Sequence, residues 1–354
     1  MTAGAPLDPC GEIPAPPWLT ALPKADLHVH QEWSPRLDRV LARRAGRPPF
    51  GWRGQAGRLL ATTRPGLERM DRLFAFDAAL ALAGAPQGEP ETLIAVVADV
   101  LAEGAADGAV LVEVRFGVTE QALARPEFMA LFREAERRVQ ARFPRLRAEA
   151  IGYLGLIDDP ARLAAGERHL AACLRAARDG LGGVDFRVDP YDTEADPALW
   201  AIAYDWAAQA VDAGLGITVH AGEFSTANLA AALRTPGLKR LGHAVYAAAD
   251  ERLLERLVAS GVTVECCPTC NVVLGAVPSY EEHPLRRFVD RGIPVTLNTD
   301  DPVRIATTIG REYAVAAALG FSRAELLGFT RNAVAASFAP AERRAALLAE
   351  LPAP

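Results

Sequence analysis

The chain has 354 residues, with 38 basic against 44 acidic side chains for a net charge of −6, and 50% of its positions are apolar and 23% charged. This ordinary globular composition excludes a disordered, collagen-like or small disulfide-framework protein, and the mild acidity excludes the electrostatic footprint of a nucleic-acid or anionic-membrane binder. The length fits two domains of roughly 100–200 residues or a single α/β barrel.

In chain order, the first 24 residues hold Asp8, Glu12 and several prolines. They lack the basic start and apolar core of a signal peptide. No apolar run reaches the roughly 18 residues of a membrane span. Five cysteines (Cys10, Cys173, Cys266, Cys267 and Cys270) are few and odd in number, which suits the cytoplasm better than a disulfide framework. Eight runs rich in Val, Ile and Leu then predict strands at 25–30, 109–116, 148–154, 183–188, 216–221, 239–244, 262–268 and 294–300. Helical periodicity over 126–142, 160–179, 196–213, 250–259 and 302–317 falls between them, and two more helical stretches, 322–337 and 340–350, follow. Apolar strands separated by helices mean parallel pairing with crossover helices. Eight such units predict one (β/α)8 TIM barrel over residues 1–354, with extra C-terminal helices. The long segment 31–107, with helical patterns near 36–45, 66–83 and 90–104, leaves the C-terminal end of the first strand, where barrel active sites form. It is expected to be a helical lid or pocket wall.

Strands buried on both faces should be apolar, so their polar residues are informative. Strand one ends His28-Val29-His30, and a period of two puts both imidazoles on one side. Strand five ends at His220, with Glu223 three residues on; strand six ends at His243; strand eight ends Asn298-Thr299-Asp300-Asp301-Pro302. Each signal has a structural explanation of its own. Asp301 before Pro302 resembles a helix cap, and Glu223 resembles a first-turn residue of a helix near 224–234. Separate structural causes do not explain why all these groups sit at the same ends of four strands. Three neutral imidazoles and a carboxylate form a site for one zinc ion: His28, His30 and His220 supply nitrogen and Asp300 oxygen. Such a metal lowers the pKa of a bound water to about 7. Glu223 is left as a proton carrier, and His243 and Asp301 are left to handle the water and hold substrate.

These residues resemble the adenosine deaminase family of the amidohydrolase superfamily. The resemblance runs from Pro23-Lys24-Ala25-Asp26-Leu27-His28-Val29-His30 through Glu113-Val114-Arg115-Phe116, Gly183-Val184-Asp185, His220-Ala221-Gly222-Glu223 and Gly242-His243 to Cys267-Pro268-Thr269 with Asn271 and Asn298-Thr299-Asp300-Asp301-Pro302. It implies a metal-dependent hydrolase barrel with one zinc on His28, His30, His220 and Asp300. It further implies hydrolytic replacement of an exocyclic amine on a small purine-type substrate by oxygen, with release of ammonia. Glu223 would protonate the ring nitrogen beside the attacked carbon, while His243 and Asp301 would handle the attacking water, Asp301 also meeting the purine.

The departures from the family pattern fall on substrate-reading positions. Gln31-Glu32-Trp33 stands where the family has Leu-Asp-Gly, Val188 where it has a glycine whose N–H meets the purine, and Pro190 where it has an acidic residue. Ala244 replaces the glycine after the second catalytic histidine, and Cys270 a common serine. Glu32, Trp33 and Val188 therefore join Asp301 as expected substrate-binding residues. The expected substrate is adenosine-like but altered, such as 6-aminofutalosine; adenine, N6-methyl-AMP and pterins are the alternatives. Four other readings stay open. A binuclear centre needs a bridging lysine, and only Lys24 and Lys239 exist. A cytidine-deaminase type of site would use His30, Glu32, Cys267 and Cys270. The Cys267–Cys270 pair could instead be redox-active or packed in the interior. A non-catalytic zinc-binding relative would keep the fold and bind a ligand. Nothing in the sequence specifies an oligomeric state.

Overall fold

The computed structural model describes residues 7–31, 39–40, 42–43, 45–46, 51–64, 66, 68–72, 89–117 and 122–353. Eight strands form one parallel sheet in the order β1 to β8: Lys24–His30, Ala109–Phe116, Arg147–Leu156, Gly183–Val188, Gly216–Ala221, Leu238–His243, Thr263–Cys266 and Val295–Leu297. A parallel bridge between Val29 and Asp300 joins the last strand's end to the first. Its hydrogen bonds are Asp300 N–H to the His28 carbonyl at 2.7 Å and His30 N–H to the Asp300 carbonyl at 2.9 Å. This is the expected barrel, closed at its C-terminal end by the backbones of three of the site residues, His28, His30 and Asp300.

The helices of the crossovers lie close to where periodicity puts them: Phe128–Gln140, Pro160–Ala177, Pro197–Asp212 and Glu251–Ser260, then Arg323–Ala336 and Ala341–Glu350. Their starts follow capping chemistry. Asp159, Asp196 and Asp250 accept from the first-turn amides, and Ser322 and Glu325 form a reciprocal capping box. Three expectations change. The helix expected over 302–317 begins at Ile309 with Thr308 as its cap, because 301–306 form turns; Asp301 is therefore not a helix cap. The helix near 224–234 shrinks to Leu229–Ala232, so Glu223 lies outside any first turn. In the long segment, Pro90–Ala106 packs on β2 and on Phe128–Gln140 as the first crossover helix. Trp52–Thr62 forms a helix where none was read. Its Leu59 joins Cys267, Cys270, Val273, Leu274 and Ile305 in a small apolar cluster beside the strand ends. Most of the expected helices 36–45 and 66–83 lies outside the described residues. No described helix is long and apolar enough to cross a membrane.

Alternation divides each strand between two environments. Val184, Phe186 and Val188 of β4 face outward into the layer shared with the helices, whereas Asp185 and Arg187 face the barrel axis. The axis is filled by charge rather than by aliphatic layers. Glu265 accepts from Arg115, Arg240, Thr218 and His28; Arg115 also pairs with Asp185, and Arg240 with Glu113. Beneath it the Phe338 ring lies 3.7 Å from the Arg240 guanidinium, a cation–π contact. The same ring occupies the space that side chains at Gly183 and Gly216 would need. Gly216→Ala is expected to destabilise the barrel by about 1–3 kcal/mol through overpacking, measured as a drop in urea midpoint at constant m-value. An unchanged midpoint would show that Phe338 moves aside at no cost.

Candidate active site

The strand ends gather every described residue singled out for metal binding and proton transfer. His30 Nε2 lies 3.3 Å from His28 Nε2, 3.3 Å from His220 Nε2 and 3.4 Å from Asp300 Oδ1. Asp300 Oδ1 is 3.7 Å from His28 Nε2. Donors held 2.0–2.2 Å from one ion at tetrahedral angles stand about 3.3–3.6 Å apart, so these separations fit a single metal. The tautomers fit as well. His28 Nδ1 is 2.7 Å from Glu265 and His220 Nδ1 2.9 Å from Asp185. A ring nitrogen that donates to a carboxylate leaves the other as a lone pair. His28 and His220 thus each turn a lone pair toward His30 Nε2 from 3.3 Å, an arrangement that suits a cation between them. Burial first, then neighbouring arginine and imidazole charge, keeps His28, His30 and His220 well below the ordinary histidine pKa. They are therefore neutral ligands at neutral pH.

Local backbone brings the remaining groups in. Gly222, at φ +74°, turns the chain so that Glu223 enters the site directly after β5. His243 and Asp300 adopt φ of +64° and +61°, a region that costs a non-glycine residue about 1–3 kcal/mol and often marks functional sites. Gly242 leaves room for His28, since a Cβ there would stand 3.0 Å from His28 Cε1. His243 Nε2 lies 3.7 Å from Glu223 Oε2 and 3.7 Å from Asp300 Oδ2 and has no hydrogen-bond partner among the described residues. Its Nδ1 is held by Asn271, which in turn contacts His283. Burial lowers His243 to about 3, with Arg187 contributing, so the ring is uncharged at neutral pH. Burial raises the Glu223 carboxyl, while Arg187 draws it back. Burial and the neighbouring carboxylates Asp301 and Glu223 raise Asp300. Asp301 pairs with Arg304 at 3.4 Å.

Of the expected substrate-binding residues, Glu32 and Trp33 lie outside the described residues. Val188 is placed in the outer apolar layer, 1% exposed. The β4 side chain that faces the site at this level is its neighbour Arg187. Sequence reasoning passed over Arg187, although its parity with Asp185 on a strand buried on both faces was a readable signal. It also missed Glu265 and His283. Tyr153, likewise missed, has its ring edge-on to His30 at 4.9 Å.

The rival metal readings lose their residues. Lys24 sits at the opposite end of β1, its ammonium bound to the Leu19 and Leu22 carbonyls, and Lys239 is exposed at the start of β6. Among the described residues no candidate ligand group joins His30 to Cys267 and Cys270. Cys173, Cys266, Cys267 and Cys270 form no disulfide. Cys267 and Cys270 are buried, and burial raises both thiols well above the usual range, which suits interior packing and not redox exchange.

A parallel barrel carrying these groups at its C-terminal mouth is the architecture of a metal-assisted hydrolase. The sequence model of the adenosine deaminase family matches residues 23–354, and the chain belongs to that family. An adenine deaminase of Rhizobium leguminosarum bv. trifolii is 46% identical over 156 residues, 44% of this chain and 48% of that one. The adenine deaminase of Rhizobium johnstonii is 44% identical over 159 residues. The alignments thus span about half the length of these curated relatives. Among solved structures, adenine deaminase from Arthrobacter aurescens superposes with a TM-score of 0.71 at 22% identity, covering 93% of this chain and 98% of that one. The Arabidopsis ADAL complex with IMP gives 0.71 at 22% identity, covering 93% and 96%. An amidohydrolase of Burkholderia ambifaria with bound Zn gives 0.69 at 21% identity, covering 94% and 90%.

Proposed function

We propose that the chain is a zinc-dependent aminohydrolase that replaces an exocyclic amine of a purine-type heterocycle by oxygen and releases ammonia. The observation that carries this reading is the convergence of the His28, His30, His220 and Asp300 donor atoms, His30 Nε2 standing 3.3–3.4 Å from the other three, with a buried glutamate and a partnerless histidine nitrogen beside them. His28, His30, His220 and Asp300 would hold the metal, which when bound supplies Lewis-acid activation of the attacking water. The protein's own groups do the rest. His243 and Asp301 handle the attacking water: Asn271 Nδ2 donates to His243 Nδ1, so Nε2 carries the ring proton and donates to the water oxygen, while Asp301 accepts the water proton and passes it to the departing amine. Glu223 protonates the ring nitrogen beside the attacked carbon, which favours loss of aromaticity there, and recovers a proton from the hydroxyl as the carbonyl forms. The balance is R–C(NH2)=N– plus water giving R–C(=O)–NH– plus ammonia.

The partial likeness to adenine deaminases favours a purine base. The ribose-extended alternative, 6-aminofutalosine, rests on Glu32 and Trp33 and has no support from the described residues. The free thiols fit a reducing compartment such as the cytoplasm. The test is metal analysis together with release of ammonia from adenine, adenosine, 5′-substituted adenosines and pterins, and of methylamine from N6-methyl-AMP. Expected are one zinc per chain, amine release from at least one of these substrates, and loss of release on chelation that zinc restores. Zinc without release from any of them would instead favour the non-catalytic relative.

A further inference from the structure

Arg187 is unaccounted for by the reaction above. It stands on the inward face of β4, its side chain 11% exposed. One nitrogen, Nη2, donates to Glu223 Oε2 at 2.7 Å and to the Pro190 carbonyl at 2.6 Å. Nε and Nη1 have no hydrogen-bond partner among the described residues. A guanidinium carries five donors in a planar fork, and since neither atom is among the buried unpartnered ones, both remain open to a ligand. A purely structural ion pair with Glu223 would also oppose the protonation that the glutamate needs. The arrangement makes chemical sense if the substrate completes it.

The order of strands says where. Glu223 follows β5, so its neighbours are His243 at the end of β6 and Arg187 on β4. His243, 3.7 Å away, shares the metal side with Asp300, and Arg187 lies on the other flank at 2.7 Å. A planar ring that presents its nitrogen to Glu223 and its attacked carbon to the His243 side therefore presents the next ring atom to Arg187. Resting on the aminohydrolase reading, we propose that Arg187 and Glu223 together read an N–C=O edge. The substrate class is then an amino-oxo heterocycle whose amine-bearing and oxo-bearing carbons flank one ring nitrogen. The 6-amino-2-oxopurines are its purine members and the 4-amino-2-oxopyrimidines their smaller analogues. Glu223 delivers its proton to the ring nitrogen, and Arg187 donates from Nη1 or Nε to the oxo oxygen. That donation withdraws electron density from the ring and makes the amine-bearing carbon a better electrophile. Reaction with water still gives only the lactam and ammonia, so no further reactant is needed. Unsubstituted adenine has hydrogen where the guanidinium looks for an acceptor and leaves it unpaired. Sites built on such a bond discriminate strongly against analogues that lack it.

The test compares kcat/KM for ammonia release within matched pairs on the zinc-loaded chain: isoguanine against adenine, 2-oxoadenosine against adenosine, and cytosine against 4-aminopyrimidine. The oxo member of at least one pair is expected to be favoured on the order of 100-fold or more. In Arg187→Met that ratio should fall to within about tenfold, with zinc stoichiometry unchanged; Arg187→Lys, which keeps the charge but not the fork, should fall between. Product binding gives a readout independent of turnover: xanthine should bind more tightly than hypoxanthine, and R187M should erase the difference. Equal turnover within every pair that reacts, or a ratio that survives R187M, overturns the role of Arg187 while leaving the aminohydrolase intact. Release from none of the six, with release from another amine of the wider panel, overturns the substrate class alone, and release from no amine at all overturns both. Melting temperature and zinc content identify a variant that has merely misfolded, and R187K then carries the comparison.

Discussion

Glu223→Gln should reduce kcat about 10³-fold or more while one zinc per chain stays bound. Glutamine keeps the volume and can still accept from Arg187, but it can neither give a proton to a ring nitrogen nor recover one. General acid–base transfer of this kind is worth about 10²–10⁴ in rate. The group is 2% exposed, so bulk water cannot stand in for it. Its carboxyl oxygen approaches His243 at 3.7 Å but does not belong to His28, His30, His220 or Asp300, the proposed ligands. The two measurements therefore separate proton transfer from metal binding. Turnover within tenfold of the parent would remove Glu223 from the mechanism. Zinc loss with intact folding would move it among the ligands, a role that its proximity to Cys270 and Asp300 makes worth checking.

The barrel was legible because eight apolar runs alternate with amphipathic ones, and the site was legible because histidines and aspartates interrupt those runs at their ends. The barrel's charged interior was not. Glu113, Arg115, Asp185, Arg240 and Glu265 each look like an isolated polar residue in an apolar strand. Only the register that sets them on one axis reveals that they neutralise one another and orient the histidines. Arg187 is hidden for a related reason: the departure from the family pattern stands at its neighbour, Val188. Parity alone would have sent Val188 outward and Arg187 inward. The expected helix over 302–317 was misread because Asp301-Pro302 has the form of a helix start. Its carboxylate instead faces Arg304 in a run of turns, and the helix waits for Thr308. A cap-like dipeptide at a catalytic strand end serves the site first.

Glu265→Gln tests whether that buried network supports both the fold and the metal. Each oxygen of Glu265 accepts two bonds: Oε2 from His28 Nδ1 and Arg115, Oε1 from Arg240 and Thr218. Both guanidinium groups are at most 1% exposed. Glutamine preserves shape, removes one of the charges that balances them, and turns an N–H2 group toward donors on one side. Breaking a buried ionic network by removing one partner costs about 3–5 kcal/mol. The metal-free variant should therefore lose that much in urea unfolding, if it folds at all at 37 °C. The second consequence concerns His28. With its carboxylate partner gone, the ring is freer to turn and its Nε2 is a weaker donor, an effect worth about 10–100-fold in metal affinity. Competition with a calibrated chelator measures it. Asp185→Asn should repeat the pattern through His220. If Glu265→Gln lowers stability but leaves zinc affinity unchanged, the network holds the barrel together and the imidazole needs no orienting. If it changes neither, the charges on the barrel axis are balanced without Glu265.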